Sequence, residues 1–98
     1  MKFMLVARVK DSFYALPAER RKKIRDATGQ YMDKLRKEGK LKEVYRLGNM
    51  RGAMAIYDLN SSEDLVRLAY EHPLWPFVDA ELTPLVDMDA VGKVKAKK

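Results

Sequence analysis

Cysteine is absent from the 98-residue sequence, and histidine occurs once, at His72. Disulfide staples, thiolate zinc sites, iron–sulfur clusters and cysteine nucleophiles are thereby excluded, and multi-histidine metal sites with them. Five glycines and four prolines are too few for a collagenous or low-complexity chain. No apolar run approaches the roughly eighteen residues that a membrane helix needs. The opening MKFMLVARVKD is interrupted by charge too soon for a secretory leader, so the expected location is cytoplasmic. A phosphate-binding Gly-rich loop, a G-x-S-x-G elbow and an H-E-x-x-H pair are missing as well. At 47% hydrophobic and 35% charged, what remains reads as a globular chain. Its length suits one small domain, and such a domain buries only about 60–65% of its unfolded surface, so a partner subunit would add much to the core.

The net charge of +6 is unevenly spread. Residues 1–42 carry thirteen basic and five acidic side chains, residues 43–92 three basic and nine acidic, and residues 93–98 add four lysines. The run Arg20-Arg21-Lys22-Lys23-Arg25 shares its segment with Glu19, Asp26, Asp33 and Glu38, the pattern of a solvated helix face. Aromatic side chains interleaved with the cations, which a single-strand binder uses as stacking platforms, are lacking there. Nucleic acid is therefore disfavoured as a partner, and residues 93–98 are expected to form a basic flexible tail beyond a single domain of residues 1–92.

Residues 2–9 alternate, with Phe3, Leu5, Ala7 and Val9 on one face and Met4, Val6 and Arg8 on the other, as in a strand. Leu16-Pro17-Ala18-Glu19 opens a helix with Pro near its first turn. Ile24, Ala27, Tyr31 and Leu35 form its apolar stripe, and Gly39 stands at the left-handed position that ends it, so the helix is expected over about 17–38. Strands are expected over about 41–47 and 52–59, joined as a hairpin through Gly48-Asn49. Asn60, Ser61, Glu63 and Asp64 provide overlapping capping signals for a second helix, which Pro73 ends. Residues 77–82 alternate again, and Pro84 closes a fourth strand. The order βαββαβ predicts an α+β, ferredoxin-like domain, a four-stranded antiparallel sheet with two helices on one face. The other sheet face, bearing Met4 and Val6, is too apolar to leave in water. Two copies packing those faces together make a dimeric α+β barrel, so a homodimer is expected, with a small-molecule cavity between the sheets.

Read strand by strand, the uncovered face presents Arg8, Tyr45 or Arg46, Tyr57, Asp79 and Glu81. Arg8 or Arg46 could hold a carboxylate-bearing ligand, and Asp79 or Glu81 could act as base, with Tyr45 beside them. Alternatively, the same charges pair across a dimer interface and the tyrosines pack there. His72 is the one side chain with an ordinary pKa near neutrality, which makes it a candidate acid–base. At the last turn of a helix it could equally serve the negative helix end or bond a free carbonyl. Trp75 and Phe77 are candidate walls of a ligand pocket. No metal site and no cofactor are expected.

The block Pro73-Leu74-Trp75-Pro76-Phe77, followed by an acidic strand, resembles the muconolactone delta-isomerase family, where Pro-Leu-aromatic-Pro-aromatic precedes the last strand. Lys37-Glu38-Gly39, Tyr45-Arg46 and Tyr57-Asp58 are further points of similarity, and the resemblance covers about residues 1–90. It implies a cofactor-independent enzyme that shifts a ring double bond in a lactone by moving protons, and large homo-oligomers built from dimeric barrels. The family's polar residues facing the cavity from strand one are replaced by Met4 and Val6, its strand-three asparagine by Ala53, and its mid-helix glutamate by Thr28 or its neighbourhood. Two readings follow: an isomerase-like enzyme for a small lactone or carboxylated substrate, or a non-catalytic binding or structural oligomer of the same fold.

Overall fold

The computed structural model describes residues 1–48 and 51–96. Its strands are β1 (Lys2–Val9), β2 (Leu41–Arg46), β3 (Gly52–Asp58) and β4 (Val78–Pro84), and its helices α1 (Asp11–Tyr14), α2 (Ala18–Lys37), α3 (Ser62–Glu71) and α4 (Met88–Ala96). The sheet order is β2-β3-β1-β4, antiparallel throughout. This is the expected ferredoxin-like α+β architecture, with β1 and β3 central and paired on both sides.

Local sequence explains most boundaries. Gly39, at φ 76°, ends α2: its N–H donates to the Arg36 carbonyl at 3.1 Å, and Lys40 N–H donates to the Leu35 carbonyl at 2.9 Å. Those two bonds satisfy carbonyls that the helix end leaves free, and glycine reaches the required φ without a Cβ clash. Ser61 Oγ caps α3 by accepting from Asp64 N–H at 3.3 Å, while the Asp64 carboxylate accepts from Asn60 N–H at 3.2 Å. That bond, and then Lys40, hold Asp64 below its ordinary pKa.

Three features depart from the sequence expectation. One turn of helix, α1, intervenes between β1 and α2 and is too short to leave a periodic signal. Residues Trp75–Phe77 form a 3-10 turn, so β4 begins at Val78 rather than Phe77. Residues 93–96, expected in a flexible tail, belong to α4, whose first turn is capped by Asp87 Oδ1 accepting from Asp89 N–H at 2.9 Å. Asn49 of the expected hairpin turn, and Lys97 and Lys98 of the tail, lie outside the described residues. None of the described helices is long and apolar enough to cross a membrane.

Leu5, Ala55 and Tyr57 from the sheet meet Leu35 of α2, Leu68 of α3, and Leu41 and Leu59 in one buried cluster. Each fully buried leucine contributes about 1.5–3 kcal/mol relative to exposure, so this seam fixes the helices on the sheet. The opposite face follows from the register. Val6 lies across from Met54 and Glu81, Met4 from Ile56, and Arg8 from Asp79, while Tyr45 pairs with Met54. No described helix element packs on that face as α2 does on the other. Its apolar stripe of Met4, Val6, Met54 and Ile56 is only half-buried.

Candidate active site

A cavity of about 570 Å³ opens between the sheet and the helical layer. Its floor is built from small and branched side chains: Leu5, Ala7 and Val9 on β1, Ala53 and Ala55 on β3, Val44 on β2 and Val78 on β4. Alternation along each strand puts these residues on one face, and the facing pair Ala7–Ala53 leaves the space that larger side chains would fill. Over it stand Arg25, Thr28 and Met32, whose spacing of three and four places them on one stripe of α2. Phe13 and Tyr14 of α1 close one side, and His72, Leu74 and Trp75 another.

Three arginines border the opening. The Arg25 guanidinium lies 5.2 Å from the centroid of the buried Phe13 ring, and the Arg51 guanidinium 4.4 Å from that of Tyr14. Each contact holds a long side chain in place through the negative face of the ring. Arg51 also pairs with Asp11 at 2.5 Å, which neutralises much of its charge. Among the described residues, Arg25 and Arg46 have no acidic partner within salt-bridge distance, and no carboxylate lines the cavity. The site is therefore an apolar hollow with net positive character at its rim. Arg51 owes its position to Gly52: a Cβ there would come within 2.2 Å of the Ala7 carbonyl oxygen, so only glycine lets β3 lie this close to β1.

His72 sits where α3 ends, its ring in a T-shaped contact with Tyr31 at 5.6 Å and tilted against Trp75 at 6.4 Å between centroids. Its Nδ1 accepts a hydrogen bond from Leu74 N–H at 3.2 Å. The neutral imidazole consequently carries its proton on Nε2. Burial pushes its pKa below the ordinary 6.5, because a charged ring would lose solvation. The sequence suggested a cation serving the helix end or a donor to a free carbonyl; the ring is instead a neutral acceptor of a backbone N–H. Burial also raises Tyr57 to about 12, and Tyr31, with Glu71, Glu38 and Asp64 adding to burial, to about 12. Both phenols stay protonated at neutral pH.

The residues singled out from the sequence divide between the two faces. Arg46, Tyr57, His72 and Trp75 line the cavity. Tyr57 had been placed on the uncovered face, but its pairing with Phe3 and Leu41 turns it toward the helices, where it is 1% exposed. Tyr45 and Arg46, adjacent on β2, point to opposite sides, which resolves the alternative between them. Arg8, Tyr45, Asp79 and Glu81 sit on the uncovered face, where Asp79 lies 3.8 Å from Lys10 Nζ and Tyr45 Oη donates to Glu43 at 3.4 Å. Met4 and Val6 face that side too, away from the hollow, while Ala53 and Thr28 border it. Phe77 packs edge-on against Phe13 at 5.9 Å, behind the wall rather than in it. Sequence reasoning missed Arg25, Arg51 and the α1 aromatics. The position of Arg25 three and seven residues before Thr28 and Met32 carried the signal for the first.

The architecture defines a ferredoxin-like α+β domain with a ligand-sized, arginine-rimmed hollow between helices and sheet. Residues 1–90 match the family model of muconolactone delta-isomerase, and the chain belongs to that family. It is 29% identical over 75 residues to a muconolactone delta-isomerase of Rhodococcus opacus, spanning 72% of this chain and 81% of that protein. It is 30% identical over 70 residues to one from Cupriavidus pinatubonensis, spanning 71% and 76%. A crystal structure of muconolactone isomerase superposes with a TM-score of 0.73 at 22% identity, covering 89% of this chain and 90% of that one, a likeness of fold.

Proposed function

We propose that this chain is a cofactor-independent, isomerase-like enzyme that takes a small lactone or carboxylated substrate into the helix-side cavity and moves a proton on it. The observation that carries this reading is the pairing of cations without acidic partners, Arg25 and Arg46, with a neutral imidazole on the wall of one apolar cavity. Arg46 binds the substrate carboxylate, for which the planar guanidinium fork suits a two-point bond. His72, its tautomer set by Leu74 N–H, donates from Nε2 to the ring carbonyl oxygen and stabilises the negative charge that grows there, while a water in the open cavity takes the ring proton at one end of the shifting double bond and returns a proton at the other. Trp75 packs on the ring. In the proposal two copies join through the faces bearing Met4, Val6, Met54 and Ile56. Arg8, Tyr45, Asp79 and Glu81 then belong to the subunit interface, and each protomer keeps its own cavity.

A second reading is favoured by one specific observation: no carboxylate lines the cavity among the described residues, and the Thr28 hydroxyl is committed to the Ile24 carbonyl at 2.7 Å. A wall without a base suits a module that binds such ligands and leaves them unchanged. Incubation with muconolactone in deuterium oxide, followed by proton NMR, separates the two. The enzyme reading expects deuterium at the carbon next to the carbonyl and a shifted double bond, both reduced in Arg46→Gln and in His72→Phe. Saturable binding with neither exchange nor isomerisation establishes the second reading.

A further inference from the structure

We propose that the preferred ligand of this cavity is an amphiphilic monoanion, a carboxylate carried on an extended apolar body, rather than a compact polar lactone acid. This deepens the functional reading above and rests on it for the location of the site. A monocyclic lactone acid fills only a fraction of the 570 Å³ hollow. The volume lies within the range that encloses larger organic ligands, about 300–1,000 Å³. Eleven of the nineteen lining residues carry hydrocarbon, thioether or indole side chains, and over that area a polar ligand would lose hydration without recovering hydrogen bonds.

The charged groups are concentrated at the opening, while the uncharged polar side chains of Thr28, Tyr57 and His72 are buried or half-buried in the lining. Arg25 and Arg46 are exposed and border the opening, whereas Ala7, Ala53 and Ala55 form the floor beneath Met32. A ligand that satisfies both regions carries its charge at one end and its hydrocarbon at the other. The lack of any lining carboxylate among the described residues selects an anion over a cation. Arg51, already paired with Asp11, adds little to that selection, so one anionic group suffices.

Trp75 is the only tryptophan and lines the hollow, so its fluorescence reports occupancy directly. Octanoate is titrated below its micellar range against acetate, octanamide and octylammonium, with stoichiometry from calorimetry. The expected result is one saturable site per chain for octanoate, with a Kd at least ten times lower than for each of the other three. Arg46→Gln, an exposed position, should weaken octanoate at least fivefold and leave octanamide unchanged. Ala53→Val, which shortens the hollow, should weaken octanoate while its circular dichroism matches wild type. Equal affinity for acetate or for octanamide overturns the proposal, as does octanoate affinity indifferent to both substitutions. Lactone turnover without octanoate selectivity overturns this inference alone; octanoate selectivity without proton exchange overturns the isomerase reading alone.

Discussion

Replacing Gly52 by alanine tests how closely the cavity depends on the contact between β1 and β3. The added Cβ would sit 2.2 Å from the Ala7 carbonyl oxygen and 3.1 Å from the Arg8 Cα, both backbone atoms of a strand held on its two sides. Neither can turn aside as a side-chain tip would. The start of β3 must peel away instead, loosening the Val9 N–H bond to the Arg51 carbonyl at 2.8 Å and the Leu47 N–H bond to the Gly52 carbonyl at 3.0 Å. Overpacking of this kind costs about 1–3 kcal/mol, and each weakened hydrogen bond adds about 0.5–1.5 kcal/mol. A loss of about 3 kcal/mol lowers Tm by about 12–24 °C in a domain of this size. The same movement carries Arg51 off Tyr14 and opens the rim, so ligand affinity falls along with stability. Thermal unfolding followed by circular dichroism, with Trp75 fluorescence for binding, measures both. A variant melting within about 4 °C of wild type would falsify the claim that the strands approach this closely.

Leu68→Ala removes a side chain that is 2% exposed at the α3–sheet seam and should cost about 2–5 kcal/mol in urea unfolding; a change below about 1 kcal/mol would place Leu68 outside the core. His72 makes stability depend on pH in a definite direction. Its folded pKa lies below the ordinary 6.5, so between the two values the unfolded chain binds more protons. Stability is then full above about 6.5 and declines as pH falls toward the folded pKa, by no more than about 1.4 kcal/mol per pH unit. Tyr31, Trp75 and the neighbouring Glu71 are the groups beside the ring. His72→Gln should flatten that window while leaving the more acidic range, where Asp64 is protonated, unchanged; an unaltered slope refutes the assignment. Because the chain holds one histidine, imidazole nitrogen shifts report its tautomer without overlap, and a proton found on Nδ1 refutes the bond from Leu74. On the uncovered face, Val6→Glu should turn a dimer into a monomer by light scattering, and a wild type that is already monomeric at micromolar concentration removes the proposed interface.

Much of the fold was legible because its signals are local. Alternation in residues 2–9 and the stripe through Ile24, Tyr31 and Leu35 each report one face of one element, and Gly39 marks a helix end wherever it falls. The PLWPF block placed the chain in its family. The site was less legible because it depends on which face each strand turns toward the helices. Tyr45 and Arg46 are neighbours in sequence and opposites in space, and a one-residue offset in strand phase moves a side chain between the hollow and the outer surface. Tyr57 was misplaced for that reason. Arg25 was hidden in a run of five cations, and only its helical spacing from Thr28 and Met32 separates the one that leans on Phe13 from its neighbours.

By itself, then, the sequence determined the order of the four strands and the two long helices, the ends of those helices, the absence of thiol chemistry and the presence of one titratable imidazole, since composition, spacing and backbone preference act over a few residues. Tertiary structure alone decided that the hollow lies on the helix-covered face, that Ala7 and Ala53 meet to create it, and that Arg25 and Arg46 reach its rim. Those are distances between segments some tens of residues apart, set by strand register and by how α2 lies across the sheet, and no local pattern encodes them.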